Sequence, residues 1–365
     1  MKLFITLCIL IGLVSCFSPK TQDEHTSIDL TSEIYYPLNY IVAKCAEPLI
    51  IDGLDDDSHW ENAPYTSLFI DIEGIKKPKY DTRAKMLWDN DYLYVFAKLN
   101  EPHIWGNLKQ RDTVIFYNND FEVFLDPSLT TYNYGEIEVN VLNTVWDLTL
   151  DKPYRVGGSA DNSWDLDDLK TAISIEGTLN DPSDIDSFWT VEMAIPLKPL
   201  LELKKSDKST PMNNEQWRIN FSRVNWDHDI TNGNYSRKKV DGKYLPEYNW
   251  VWSPQGVINM HEPEKWGYLQ FSDQAIIDDV PFIEDKDLIY KQAAYAFFRL
   301  TRYGSLKQMS SKKQGYIKQF KSQLSDDVTC MATFEKTKDG FKYTLQHPTT
   351  NQLFIIDQDG WLTLK

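Results

Sequence analysis

The chain has 365 residues, with 38 Lys and Arg against 54 Asp and Glu, giving a formal net charge of -16. That balance excludes a nucleic-acid partner, whose phosphates need a basic surface, and suits a neutral or cationic ligand. Twelve Trp, 20 Tyr and 17 Phe make 13% of the chain aromatic, more than a core requires, so some rings are expected on a binding surface.

At the start, Lys2 precedes an apolar run from Leu3 to Val14, then Ser15 and Cys16. The run is shorter than the roughly 20 residues of a spanning helix and has the charge-then-apolar order of a secretory signal. Leu13, Val14, Ser15 and Cys16 resemble a bacterial lipobox, which implies a signal over 1–16 and a lipidated Cys16 that seats the protein on a membrane without crossing it. Residues 17–40 are polar, lack a period and read as a flexible tether. Within them Lys20 to Glu24 resembles the acidic signal of some surface lipoproteins of the Bacteroides group. The expected location is therefore the cell envelope, as an outer-membrane lipoprotein facing the periplasm or the cell surface. With Cys8 in the signal and Cys16 lipidated, Cys45 and Cys330 remain, as a disulfide or as two buried thiols.

From residue 41 the chain reads as short strands separated by turns. Leu49 to Pro64 carries an acidic turn around Gly53 and a short helical turn. Thr82 to Leu99 reads as a hairpin turning at Asp89-Asn90-Asp91. Further strands are expected at DFEVFLDP, GEIEVNVLN, TVWDLTL, FWTVEMAIP (Phe188 to Pro196), WRINFSRVNW (Trp217 to Trp226), YNWVWSP and GYLQF. Helical periodicity is nearly absent before residue 280, so residues 41–273 are expected to form an all-β antiparallel sandwich. Residues 274–365 read as a small α+β appendage. It has a helix over Asp287 to Gly304, with Gly304 as its C-cap, and then three or four strands.

The stretch from Asn118 to Asn143 sets the functional expectation. Alternation puts Phe121, Val123 and Leu125 on one side of the first strand, and Ile137, Val139 and Val141 on one side of the second. The opposite rows hold Asp120 and Glu122, then Glu136, Glu138 and Asn140. Arg218, Asn220 and Ser222 continue the polar row on a third strand, and Arg223 follows. A sugar needs paired donors and acceptors for its hydroxyls and an aromatic surface for its C–H face. Glu122, Glu138, Asn140, Ser222 and Arg223 supply the first, and Trp105, Trp250 and Trp252 supply the second. Trp250 and Trp252 alternate onto one strand face and could equally belong to the core, while Trp88 and Trp189 are expected inside. Asp52, Asp55 and Asp89, in acidic turns, are candidate ligands of a structural calcium ion. Two rivals stand beside sugar binding. One is a glycoside hydrolase using Asp120 and Glu122, whose Cα atoms lie roughly 7 Å apart by strand rise. The other is a surface lipoprotein that binds protein.

The order of DGLDDDSHW, TRAKMLWDNDYLYVFAKL, EPHIW, NNDFEVFLDP, WTVEMAIP, WRINFSRVNW, NWVWSP and HEPEKWGYLQF resembles the family 9 carbohydrate-binding modules, over roughly Leu49 to Phe271. The resemblance implies a sandwich of the DOMON type, oligosaccharide or polysaccharide binding without catalysis, and calcium in a structural role. It also implies work beside glycan-processing enzymes or transporters in polysaccharide breakdown. It places the family's sugar-bonding carboxylate at Glu122 and an amide near Ser222. A family basic residue falls near Glu138, so the charge there is reversed. The two Trp rings that sandwich the family's sugar fall nearest Phe116 or Tyr117 and Met260. Trp105, Trp146, Trp226, Trp250 and Trp252 offer a different platform.

Overall fold

The computed structural model describes residues 25–365; the signal segment, Cys16 and the tether up to residue 24 lie outside the described residues. Thirteen strands hydrogen-bond into one curled sheet that folds over itself as a sandwich. One half runs Lys170–Glu176, Phe188–Pro196, Tyr92–Asn100 and Thr82–Trp88 in antiparallel order. The other runs Gly267–Phe271, Gln216–Asn225, Asp120–Asp126, Tyr134–Asn140 and Val145–Leu150, again antiparallel. Asn39–Lys44 joins the halves by pairing parallel with one strand of each.

The alternation explains the core. Phe121, Val123, Leu125, Ile137, Val139, Ile219 and Phe221 fall on the inner face and meet Met86, Val95, Trp189 and Met193 from the opposite half in one buried cluster. Burying side chains of this size contributes roughly 1.5–3 kcal/mol each and fixes the register, because a one-residue slip would turn every carboxylate of these strands inward. Trp88 and Trp189 are inside, as expected.

The C-terminal region is a helix, Leu288–Arg302, packed on a second sheet. Ala294, Phe297 and Phe298 form its buried stripe. The helix stops at Arg302, and the backbone N–H groups of Tyr303 and Gly304 close it on Arg299 and Leu300, so the C-cap is Tyr303 and the expected Gly304 stands one residue beyond it. Five strands follow, one more than the three or four read from the sequence, turning where Asp339-Gly340, His347 to Asn351 and Asp359-Gly360 stand. A sixth comes from the other end of the chain. Thr26–Asp29 pairs parallel with Phe320 to Gln323, and Leu30 and Ile34 enter the helix-sheet core. The expectation of a tether reaching residue 40 is therefore corrected. From Thr26 the segment is folded, because Ile28, Leu30 and Ile34 give it an apolar face to bury.

Cys45 and Cys330 are free, buried thiols in separate hydrophobic clusters.

Candidate functional site

The outer face of the Asp120 half-sheet carries the polar rows. Across four strands the register sets Ser222 beside Glu122, Glu122 beside Glu138, and Glu138 beside Trp146. The adjacent row is Asn220, Phe124, Glu136 and Leu148. Loops rise around these rows and close a cleft of about 340 Å³. Glu122, Glu136 and Glu138 lie along its floor, and Phe116, Trp146, Tyr154, Met260 and His261 stand around it.

The walls are held by the sheet itself. Phe116 sits in a 3₁₀ turn, Ile115–Tyr117, whose Phe116 N–H donates to Glu138 Oε2 at 3.0 Å. The Phe116 carbonyl accepts from Trp226 Nε1 at 2.8 Å. Across the cleft, the Met260 carbonyl accepts from Trp266 Nε1 at 2.7 Å, and His261 Nδ1 lies 2.9 Å from the Tyr134 hydroxyl. Burial, with the Arg155 charge nearby, pushes His261 down to about 4, so the ring is neutral near pH 7.

The floor is acidic and buried. Glu122 is 5% exposed and Glu138 2%. Burial pushes Glu122 up to about 7, with the Glu247 carboxylate adding to it. Burial and then the Glu122 charge push Glu136 up to about 8. Glu138 and Asp120 are raised well above the carboxylate range by burial and by their neighbours' like charges. Among the described residues, no Lys or Arg lines the cleft. Such a site offers acceptors, and donors when protonated, between aromatic and thioether walls.

Of the residues expected from sequence, Glu122 and Glu138 line the cleft. Ser222 is fully buried beside Glu122. Asn140 is buried in its own turn, accepting from the Leu142 and Thr144 N–H groups and donating to the Leu108 carbonyl. Neither Ser222 nor Asn140 lines the cleft, so both are corrected, as are the other four. Arg223 faces the interior, where it pairs with Glu101 at 2.7 Å and donates to Thr82, because odd-numbered positions of its strand point to the core. Trp250 is its register partner and shares that side, 1% exposed. Trp252, 3% exposed, packs on Phe221 within the sandwich. Trp105 is buried under the Tyr235 ring, outside the cleft.

The expected calcium ligands do not share a point. Asp52 accepts from the Leu54 N–H, Asp55 is paired with Lys85 at 2.9 Å, and Asp89 accepts from the Asp91 and Tyr92 N–H groups and the Tyr94 hydroxyl. Each carboxylate completes its own local turn or ion pair, so they do not fit as one ligand set. Among the described residues, the acidic triplets that do converge are Asp112, Asp147 and Asp165, and Asp120, Glu122 and Glu138.

The sequence choice of site residues left out Glu136, although it stands in the same alternating row. Tyr154 and His261 come from loops with no local pattern. Of Phe116 or Tyr117 and Met260, the positions nearest the sandwiching rings in the family resemblance, Phe116 and Met260 border the cleft and Tyr117 does not.

A curled β-sandwich with a walled cleft on the outer, polar face of one half-sheet is the architecture of a ligand-binding module. Residues 51–236 match the family described as carbohydrate family 9 binding domain-like, and the chain belongs to that family. Among solved structures, it is similar to a family 9 carbohydrate-binding module from Caldicellulosiruptor kristjanssonii in complex with cellotriose. The identity is 16% and the TM-score 0.42, over 67% of this chain and all of that one. It is also similar to a putative carbohydrate-binding protein from Bacteroides uniformis, at 15% identity and TM-score 0.48, over 65% of this chain and all of the other. No curated protein matches the chain.

Proposed function

We propose that the protein is a non-catalytic carbohydrate-binding module that captures an oligosaccharide or a polysaccharide segment in the cleft above Glu122, Glu136 and Glu138. The observation that carries this reading is the placement of Phe116 and Met260 at the edges of a floor of carboxylates. A pyranose between them has apolar surface for its C–H faces and acceptors for its hydroxyls. The solved structures similar to this chain include family 9 modules in complex with cellotriose and with glucose. Anchored by a lipid at Cys16 to the outer membrane, such a module would hold glycan beside the hydrolases and transporters that process it.

Glycoside hydrolysis needs two carboxyl groups whose environments push their pKa values apart. Here burial pushes Asp120 and Glu122 in the same direction, and Asp120 does not border the cleft. Binding is therefore preferred over catalysis. Calorimetric titration of the soluble protein, starting at Phe17, with plant and host oligosaccharides tests the reading. Saturable heat pulses are expected. Sustained heat flow would mean turnover, and silence across a broad panel would favour a protein partner.

A further inference from the structure

Three buried carboxylates beneath the cleft have no cation of their own. Asp120 and Glu122 stand two residues apart on one strand, and Glu138 is Glu122's register partner on the next. One oxygen from each lies within 4.8 Å of the other two. All three are nearly or completely buried, Asp120 at 0% exposure. Among the described residues, none of them takes part in an ion pair with Lys or Arg, in contrast to Asp147 and Asp165 of the other acidic triplet, which Arg111 reaches at 2.6 and 3.4 Å.

Their hydrogen bonding is also incomplete. Asp120 Oδ1 accepts from the Val224 N–H at 3.2 Å, and Glu138 Oε2 from the Phe116 N–H at 3.0 Å. Asp120 Oδ2 is buried without a partner. The hydroxyl of Ser222, itself completely buried, stands beside the Glu122 carboxylate on the neighbouring strand and finds no partner outside this cluster. Orphaned buried oxygens are rare in native proteins and call for an explanation such as an ion. Three carboxyl groups crowded away from water can ionise together only with a positive charge among them.

We propose that Asp120, Glu122 and Glu138 hold one hard divalent cation at the base of the cleft, with the Ser222 hydroxyl beside it as a further oxygen donor. The donor set is oxygen only, which selects calcium, magnesium or manganese over softer metals. Oxygens no more than 4.8 Å apart are close enough for two of them to share one ion at about 2.4 Å, the calcium distance. Because Glu122 and Glu138 border the cleft, the ion's remaining coordination positions open toward the ligand space.

The purified protein, stripped with a chelator and freed of it, is titrated with calcium, magnesium and manganese chlorides by calorimetry and thermal melting, without sugar. One ion per chain is expected from at least one of the three, with a melting temperature raised by several degrees. Asp120→Asn and Glu138→Gln should each weaken that binding at least about tenfold. Both substitutions relieve charge crowding, so each variant should melt no lower than the stripped wild type. Terbium luminescence excited through tryptophan reads the wild type alone, with emission that calcium displaces as the expected result. No binding of any of the three ions, or unchanged affinity in both variants, would overturn the proposal. Since no sugar is present, failure of the ion site and failure of the carbohydrate reading are separate results.

Discussion

Both carboxylate oxygens of Glu264 lie within hydrogen-bonding distance of Nη2 of Arg155, at 2.8 and 2.7 Å. Arg299 reaches the same carboxylate from the C-terminal helix at 3.2 Å. Arg155 follows Tyr154, whose ring meets that of His261 edge-on with centroids 4.6 Å apart, and Glu264 follows Met260 and His261. One fully buried carboxylate thus ties these two adjoining cleft-lining segments to the C-terminal helix.

Replacing that carboxylate should be costly. Glu264→Gln leaves two buried guanidinium groups short of a counter-charge, and removing one partner of such a group typically costs 3–5 kcal/mol. Because Glu262 still pairs with Arg155 at 2.8 Å, a loss of about 3 kcal/mol is expected in urea unfolding. A loss under about 1 kcal/mol would mean that the network is not a principal support.

The same group sets an acid limb of stability. Burial alone would raise Glu264, but Arg155, Arg299 and Lys265 outweigh it and hold the carboxyl down to about 2, against 4.5 for an ordinary Glu. With the folded value below the unfolded one, the contribution is present above pH 4.5 and is lost as pH falls from there toward 2. Melting curves of wild type and Glu264→Gln should converge across that window. A constant gap would assign the acid limb to other carboxylates.

Two tryptophans should separate core from cleft. Trp252 packs on Phe221, and a side chain at Gly267 would collide with its ring, so Trp252→Ala should cost about 3–5 kcal/mol. Trp146 is half-buried at the cleft, so Trp146→Ala should leave the melting temperature nearly unchanged and weaken oligosaccharide binding roughly tenfold, as loss of a stacking ring does. Paired melting and titration of both variants checks this, and the reverse pattern would move the platform to the Trp250 strand.

Burial pushes the thiols of Cys45 and Cys330 up to about 12. In the protein starting at Phe17, a thiol reagent at pH 8 should therefore label neither in the native state and both after unfolding in guanidinium. Native labelling, or fewer than two thiols on unfolding, would contradict the buried, unpaired state.

The strands were legible because period-two alternation is a local property. It located Phe188–Pro196 and the Thr82 hairpin, and it put Glu122 and Glu138 on the correct face. The same rule, applied through to residue 223, would have sent Arg223 inward with Ile219 and Phe221. Trp250 was ambiguous until its partner strand was known, because a short strand shows which residues share a face and not which face is covered. The convergence of Phe116, Tyr154 and Met260 depends on three loops meeting, a relationship that no local pattern carries. Thr26–Asp29 was hidden for a similar reason, since its partner lies almost 300 positions away.

That strand has a mechanical consequence. A pull on the chain from its N-terminal side enters the described fold at Thr26, along a strand bonded side by side to Phe320 to Gln323. Force applied in that direction loads its hydrogen bonds together in shear, where peeling would break them one by one. The six-stranded sheet then serves as the mount of the protein, bearing tension before the sandwich feels it.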